Sequence, residues 1–249
     1  MANLGVQNFD LRKNEKILLL QEFEELARQI SPPAGLFSGL KSVVRTWLCL
    51  NLTSLMQRLG YNKRKLSKYK GKPILLNIGC LGRRTSQYIN ADLILGVDYI
   101  PKILFGKLDY DLLINITCHD KNLSNITDGI FLSHVLEHIP PSLAITALKN
   151  CFAYLKPGGC IRVVVPDVKA YNRPNLTDSQ KAINSTLAMN RMAYGWGHKF
   201  MYDAKLLNVL MEEAGFSELK EVTFREGLLG ETDLAKYKAE SIYMTGIKV

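Results

Sequence analysis

The 249 residues predict an α/β fold, a mostly parallel sheet with helices on both faces, behind an N-terminal helical extension. Three observations predict it. From residue 73 onward, short apolar runs alternate with helical periods; an apolar run beginning at Ile74 enters glycines at Gly79 and Gly82; and Lys156-Pro157-Gly158-Gly159 closes a clear helix just before a strongly apolar run. With 47% hydrophobic and 22% charged residues, the chain can bury one ordinary core, which excludes a disordered, collagenous or disulfide-stapled protein.

Taken in order, residues 1–30 read as helical through Ile17, Leu18, Phe23, Leu26 and Ile30, and the Ser-Pro-Pro-Ala-Gly of 31–35 stops that helix. A second amphipathic run places Val44, Trp47, Leu48, Leu55 and Leu59 near one face and ends at Gly60. Strands are expected over Ile74 to Ile78, Leu93 to Val97, Leu112 to Ile116, Gly129 to Ser133 and Cys160 to Val165. Leu143 to Leu155 is the clear helix, closed by the Lys-Pro-Gly-Gly stop and turn. Ala204 to Ala214 is a helix stopped by Gly215, and Leu219 to Phe224 with Ile242 to Ile247 forms a final hairpin of the sheet. The division is therefore residues 1–72, a basic helical extension, and 73–249, the main domain.

The net charge of +9 is confined to one segment. Residues 41–72 hold nine cations and no acid, leaving 23 residues of each sign elsewhere. Five scattered cysteines without a CxxC pair argue for a reducing compartment, and no secretion signal or uninterrupted apolar span is visible, so a cytoplasmic location is expected. The apolar face of the basic helix is expected to pack on the main domain as a lid with its lysines solvated. The other readings are peripheral contact of residues 41–72 with an anionic membrane or an anionic acceptor. A localised basic stripe also fits nucleic acid, but no interleaved aromatic signature supports it.

Gly79 and Gly82, after an apolar strand, let backbone approach a ligand at the carboxyl edge of a parallel sheet. Asp98 follows Gly79 by 19 positions, close to the interval at which an acid receives a ribose in nucleotide-binding sheets; Asp92 is the rival if the strand register is shifted. A surface acid capping the next helix is the bland alternative for Asp98.

Ser133-His134-Val135-Leu136-Glu137-His138, then Leu155-Lys-Pro-Gly-Gly159 and Val164-Val165-Pro166-Asp167, resemble the fourth strand, its loop and the fifth strand of class I S-adenosylmethionine-dependent methyltransferases. With Leu76-Asn-Ile-Gly-Cys80 before them and Glu213-Ala-Gly-Phe216 after, the resemblance covers about residues 73–225, and is strongest to small bacterial enzymes associated with polysaccharide or lipid modification. It implies a Rossmann-like sheet and S-adenosylmethionine as cofactor. Gly79, Cys80 and Gly82 would pack on its amino-acid part, Asp98 would hold the ribose, Asn115 would face the adenine, and Ser133 and His134 would line the floor beside the sulfonium. The implied acceptor is a sugar, lipid-linked glycan or other small molecule. Leu81 stands where the family usually has glycine, and residues 121–127 replace its Pro-Phe-Pro-Asp segment; these departures motivate an alternative, a catalytically silent binding module. An RNA methyltransferase is a further alternative.

Methyl transfer to a hydroxyl needs alignment and a proton acceptor, for which histidine is the natural side chain. His134, Glu137 and His138 lie within one turn, and His198 sits in the aromatic, glycine-rich segment Tyr194 to Asp203 where the family closes its acceptor pocket. His134, His198 and Glu137 are thus the candidate catalytic residues. In some relatives a similar turn and a distant histidine bind a divalent metal. Here the turn is read first as a structural signature holding the strand-to-helix turn, with no metal expected; the alternative set, His134, Glu137, His138 and His198, suits zinc or another transition metal better than magnesium.

Overall fold

The structure, a computed structural model, describes residues 14, 17–18, 20–21, 23–25, 36–69, 71–81, 84–94, 99–105, 108–172 and 185–249. Seven strands form one sheet: β1 (Leu75–Ile78), β2 (Ile89–Asp92), β3 (Leu112–Leu113), β4 (Thr127–Ser133), β5 (Leu155–Pro166), β6 (Ser217–Val222) and β7 (Ser241–Ile247). Their order is β3-β2-β1-β4-β5-β7-β6. The first five run parallel, while β7 pairs antiparallel with both β5 and β6. This is the Rossmann-like sheet that the sequence predicted, with its hairpin strands at one edge.

Six helices complete the described fold: α1 (Leu36–Arg58), α2 (Tyr61–Leu66), α3 (Tyr99–Leu104), α4 (Pro141–Tyr154), α5 (Ser185–Tyr194) and α6 (Ala204–Glu213). Alternate strand residues face opposite sides of a sheet, and the two faces are covered differently. Leu76, Ile130, Leu132, Ile161 and Val163 share the main core with Ala147, Leu148 and Cys151 of α4 and Leu207 and Met211 of α6. Cys80, Ile94, Tyr110 and Leu113 instead pack against Cys49, Leu52 and Met56 of α1 and Tyr99 and Ile103 of α3. On the face opposite the main core, Phe131, Val164 and Tyr243 are covered by Phe224 and Leu229 of the long β6–β7 connection.

Local chemistry sets most boundaries. Pro141 occupies the first turn of α4, where its missing N–H costs nothing. Asp203 caps α6 by accepting the Leu206 N–H at 2.8 Å, and Gly215 (φ 106) turns the chain away after it.

Four sequence expectations are corrected. The second strand is Ile89–Asp92: the Ile89 and Asn90 positions pair with β1, and of the strand expected over Leu93 to Val97, Leu93 and Ile94 lie beyond the strand end while 95–97 lie outside the described residues. The third strand is two residues long, because Asn115 turns onto Thr117 instead of continuing the ladder. Lys156 to Gly159 do not separate helix from strand; Leu155 already pairs with Thr127, and the four residues form an irregularity inside β5 before Cys160 rejoins at Gly129.

The fourth correction concerns α1. The face bearing Val44, Trp47, Leu48, Leu55 and Leu59 is exposed, and the opposite face is the one packed on the domain. The reason is polar anchoring. Thr53 Oγ1 accepts the Ile94 N–H at 2.9 Å, Gln57 Oε1 accepts the Asn115 N–H at 3.0 Å, and Gln57 Nε2 reaches the Cys118 carbonyl. Asn62 on α2 closes the edge of β3, accepting the Leu113 N–H and donating to its carbonyl and to Asp120. Loose backbone groups at a sheet edge are costly when buried, so their satisfaction decides which face of α1 turns inward.

Leu26, Ile30, residues 31–35, Gly82 and Asp98 lie outside the described residues. None of the five cysteines forms a disulfide. Among the described residues no helix is long and apolar enough to cross a membrane.

Candidate active site

In an open parallel sheet, ligands bind beyond the carboxyl ends of the strands where the strand order reverses, here between β1 and β4. The chain leaves β1 through Gly79 and Cys80 and leaves β4 through Ser133 and His134. A cavity of about 110 Å³ opens there, lined by Asn77, Gly79, Cys80, Leu81, Ser133 and His134, with Thr232, Leu234 and Tyr237 of the β6–β7 connection on the other side.

The loop after β1 is held from β2. Asn90 receives Asn77 Nδ2 (2.9 Å) and the Thr85 N–H (3.0 Å) on its carbonyl oxygen and donates to the Thr85 and Tyr88 carbonyls. Asp92, buried at the end of β2, accepts the Leu81 N–H at 2.6 Å and the Leu93 N–H at 2.7 Å. Burial raises the Asp92 pKa; the two N–H donors oppose the rise without cancelling it.

Gly79 is required by packing. Its φ is +77, and a Cβ there would lie 2.2 Å from Val135 Cγ2. Leu81, standing where the resembling family usually has glycine, takes a left-handed backbone (φ 44) and is 61% exposed. Asn115 faces α1: its side chain donates to Ser54 Oγ and accepts from Thr117, and its N–H goes to Gln57.

On the other side, His134 departs from β4 with a left-handed backbone, φ 54, a conformation uncommon outside glycine and stored where surrounding structure enforces it. Its N–H bonds the Val164 carbonyl of β5, and its ring stacks on Tyr237 with centroids 3.8 Å apart. Nε2 is 3.1 Å from Ser241 Oγ, and Nδ1 is 3.2 Å from Glu137 Oε1.

Glu137 is fully buried; His134 Nδ1 stands at ion-pair distance from Oε1, but neither carboxylate oxygen receives a well-aligned hydrogen bond. An ionised carboxylate in that position is expensive unless a cation or several donors face it. Around it stand His134, His138 and His198; ligand atoms of Glu137, His138 and His198 all lie within 4.8 Å of one another. His138 and His198 meet edge to face with centroids 4.8 Å apart. His198 Nδ1 is engaged by the Met192 carbonyl, which leaves Nε2 as its free nitrogen. Burial lowers the His198 pKa, countered in part by the Met192 carbonyl and the Glu137 charge. The Glu137 backbone carbonyl accepts the Lys199 and Phe200 N–H groups, tying the 195–200 segment to the turn.

The structure thus brings together His134, Glu137, His138 and His198, and separately Gly79, Cys80, Ser133 and His134. It turns Asn115 toward α1, and it puts Asp92 at the strand end where Asp98 was expected. Sequence reasoning missed Tyr237, Thr232 and Ser241, which reach the site from the last hairpin and carry no local motif.

No curated protein matches the chain. Among solved structures, a SAM-dependent methyltransferase from Archaeoglobus fulgidus is 18% identical, covering 79% of this chain and 94% of its own, with a TM-score of 0.45. One from Thermotoga maritima is 14% identical over 84% and 96%, with a TM-score of 0.45. Phosphoethanolamine N-methyltransferase 2 of Haemonchus contortus is 12% identical, with a TM-score of 0.42; the match covers 76% of this chain but about half, 52%, of that longer enzyme. The methyltransferase-domain family matches residues 96–221, just over half of the sequence, and the chain therefore belongs to that family, as an enzyme that uses S-adenosylmethionine.

Proposed function

We propose that the protein methylates a hydroxyl of a sugar, lipid-linked glycan or other small molecule, with His134 as the proton acceptor. The observation that carries this reading is the His134–Glu137 pair at the cavity wall: an imidazole with one nitrogen beside a fully buried carboxylate and the other toward Ser241. The cofactor, when bound, supplies an electrophilic methyl group on a sulfonium. The cavity of about 110 Å³ fits only part of such a molecule, since whole small-molecule sites run to roughly 300–1,000 Å³. Gly79, Cys80 and Ser133 would hold its methionine end. Asp92, at the end of β2, would be the acid on the ribose side, acting through the Leu81 and Leu93 N–H groups that its carboxylate holds.

His134 Nε2 would take the proton of the acceptor hydroxyl, directly or through the Ser241 hydroxyl. Glu137 stabilises the imidazolium that forms, and stacking on Tyr237 holds the ring. General-base assistance of this kind is worth about 10²–10⁴-fold in rate. Isothermal calorimetry with S-adenosylmethionine and its demethylated product, then product release across a panel of sugar and glycan acceptors, tests the reading. His134→Gln should retain cofactor binding and lose turnover. Absence of binding of either nucleoside at high micromolar concentration overturns the enzyme, and full turnover by His134→Gln overturns the base.

A second reading is favoured by the unbonded Glu137 carboxylate: Glu137, His138 and His198 hold a transition metal, whose nitrogen-rich ligand set suits zinc. Elemental analysis of protein purified without chelator decides it, and metal-free protein with full activity rejects it.

A further inference from the structure

The packed side of α1 and its outward side are both apolar, which an isolated surface helix does not need. At 100° per residue, Val43, Val44, Trp47, Leu48, Leu55 and Leu59 fall on one continuous stripe, opposite Thr53, Met56 and Gln57. The stripe is in water: Val43 is 66% exposed, Trp47 61% and Leu59 71%, with the other three about half exposed. Asn51, in the middle of it, folds its amide back onto the Trp47 carbonyl at 2.8 Å, so the polar group is internally satisfied. Scattered apolar side chains on a surface are ordinary, but six in register on one helix face mark a contact surface.

Charge selects the occupant. Residues 41–72 contain nine cations and no acid, and Arg58, Lys63, Arg64 and Lys68, at and just after the end of the stripe, are exposed. A second copy of the same face would bring these cations together, and a nucleic acid offers phosphates but nothing for the leucines. A bilayer with anionic headgroups satisfies both, burying the stripe at the acyl boundary with cations at the phosphate level and an indole at the interface. We propose that the outward face of α1 docks the enzyme on an anionic membrane surface, with α1 lying in the plane of the interface. The inference is independent of the methyl acceptor.

The test uses the full chain and vesicles of phosphatidylcholine with or without 30% phosphatidylglycerol. In a Trp196→Phe background Trp47 is the sole tryptophan, and its emission should shift to the blue only with anionic vesicles. Co-sedimentation should weaken at least tenfold in Leu48→Ser/Leu55→Ser, and should weaken with added salt. Because both leucines are exposed, unchanged cofactor binding by calorimetry confirms the fold of the variant. No sedimentation with anionic vesicles, or sedimentation unaffected by the double substitution, overturns the proposal. So does a lipid-free dimer in sedimentation velocity that the double substitution dissociates, since the face then belongs to a second copy.

Discussion

Arg162 is a fully buried cation in the middle of β5, and its removal tests how the β6–β7 connection is held over the cavity. Its Nε and Nη2 clasp both oxygens of Asp233, which is also fully buried as a side chain, at 2.7 and 2.5 Å. The remaining N–H groups reach the Thr223, Glu226 and Leu228 carbonyls, and Asp233 additionally accepts the Arg225 N–H at 2.8 Å. One guanidinium therefore pins residues 223–233, the segment that delivers Thr232, Leu234 and Tyr237 to the cavity wall. Asp233→Ala strands the buried cation and should cost about 3–5 kcal/mol. At a urea slope of about 2 kcal/mol per M, this lowers the midpoint by about 2 M. An isolated buried pair can often be replaced by apolar residues without loss. Here Arg162→Met/Asp233→Leu should stay destabilised by about 2 kcal/mol, because three carbonyls lose their donor. Urea unfolding followed by circular dichroism reads both. A drop below about 0.5 M for Asp233→Ala, or wild-type stability of the double variant, would refute the reasoning.

Glu137→Gln should lower turnover by about 10²–10⁴-fold with cofactor binding retained, because a neutral amide replaces the buried carboxylate beside His134 Nδ1; full turnover in a kinetic assay rejects the pairing. Asn62→Ala should cost about 2–4 kcal/mol in urea unfolding, because the Leu113 N–H and carbonyl and one Asp120 oxygen lose their partner together. Burial pushes the Asp128 pKa up, but hydrogen bonds from Lys156 and the Ile74 N–H, with the lysine charge, outweigh it and leave the carboxyl below its ordinary value. Its folded pKa is the depressed one, so its contribution is present above the unfolded carboxylate pKa and is lost as pH falls through the folded value. Wild type and Asp128→Asn should therefore converge in stability on acidification, read by urea midpoints in a pH series. Deletion of residues 1–70 should weaken cofactor binding and stability together, because Thr53, Gln57 and Asn62 bond to the chain around β2 and β3.

The parts of the fold legible in sequence were those with strong local signals. The α4 helix, the Gly215 stop and the β-hairpin all follow from periodicity and glycine placement, and they fall within a few residues of their observed ends. What failed was arbitration between neighbouring apolar runs. Ile89 to Asp92 is short and half polar, and Leu93 to Val97 looks the better strand by composition; yet Asn90 is worth more inside, where it satisfies four partners of the β1–β2 loop. A polar residue that organises a loop reads, without coordinates, as a break in a strand.

The same limitation explains α1 and, through it, the site. Its outward stripe carries Val44, Trp47, Leu48, Leu55 and Leu59, so a reading by apolar periodicity turns it inward. The structure turns inward instead the face carrying Thr53 and Gln57, whose side chains accept the Ile94 and Asn115 N–H groups at the β2 and β3 ends. Hydrogen-bond demand at a sheet edge is a tertiary property, and helical periodicity contains none of it. The His134-to-His138 turn was legible because its chemistry is contiguous. Tyr237, Ser241 and the Arg162–Asp233 clasp were not, since they reach the cavity from residues more than 60 positions away. A motif thus locates the wall of the site formed by one loop, while the opposite wall is written in the pairing of β7 with β5.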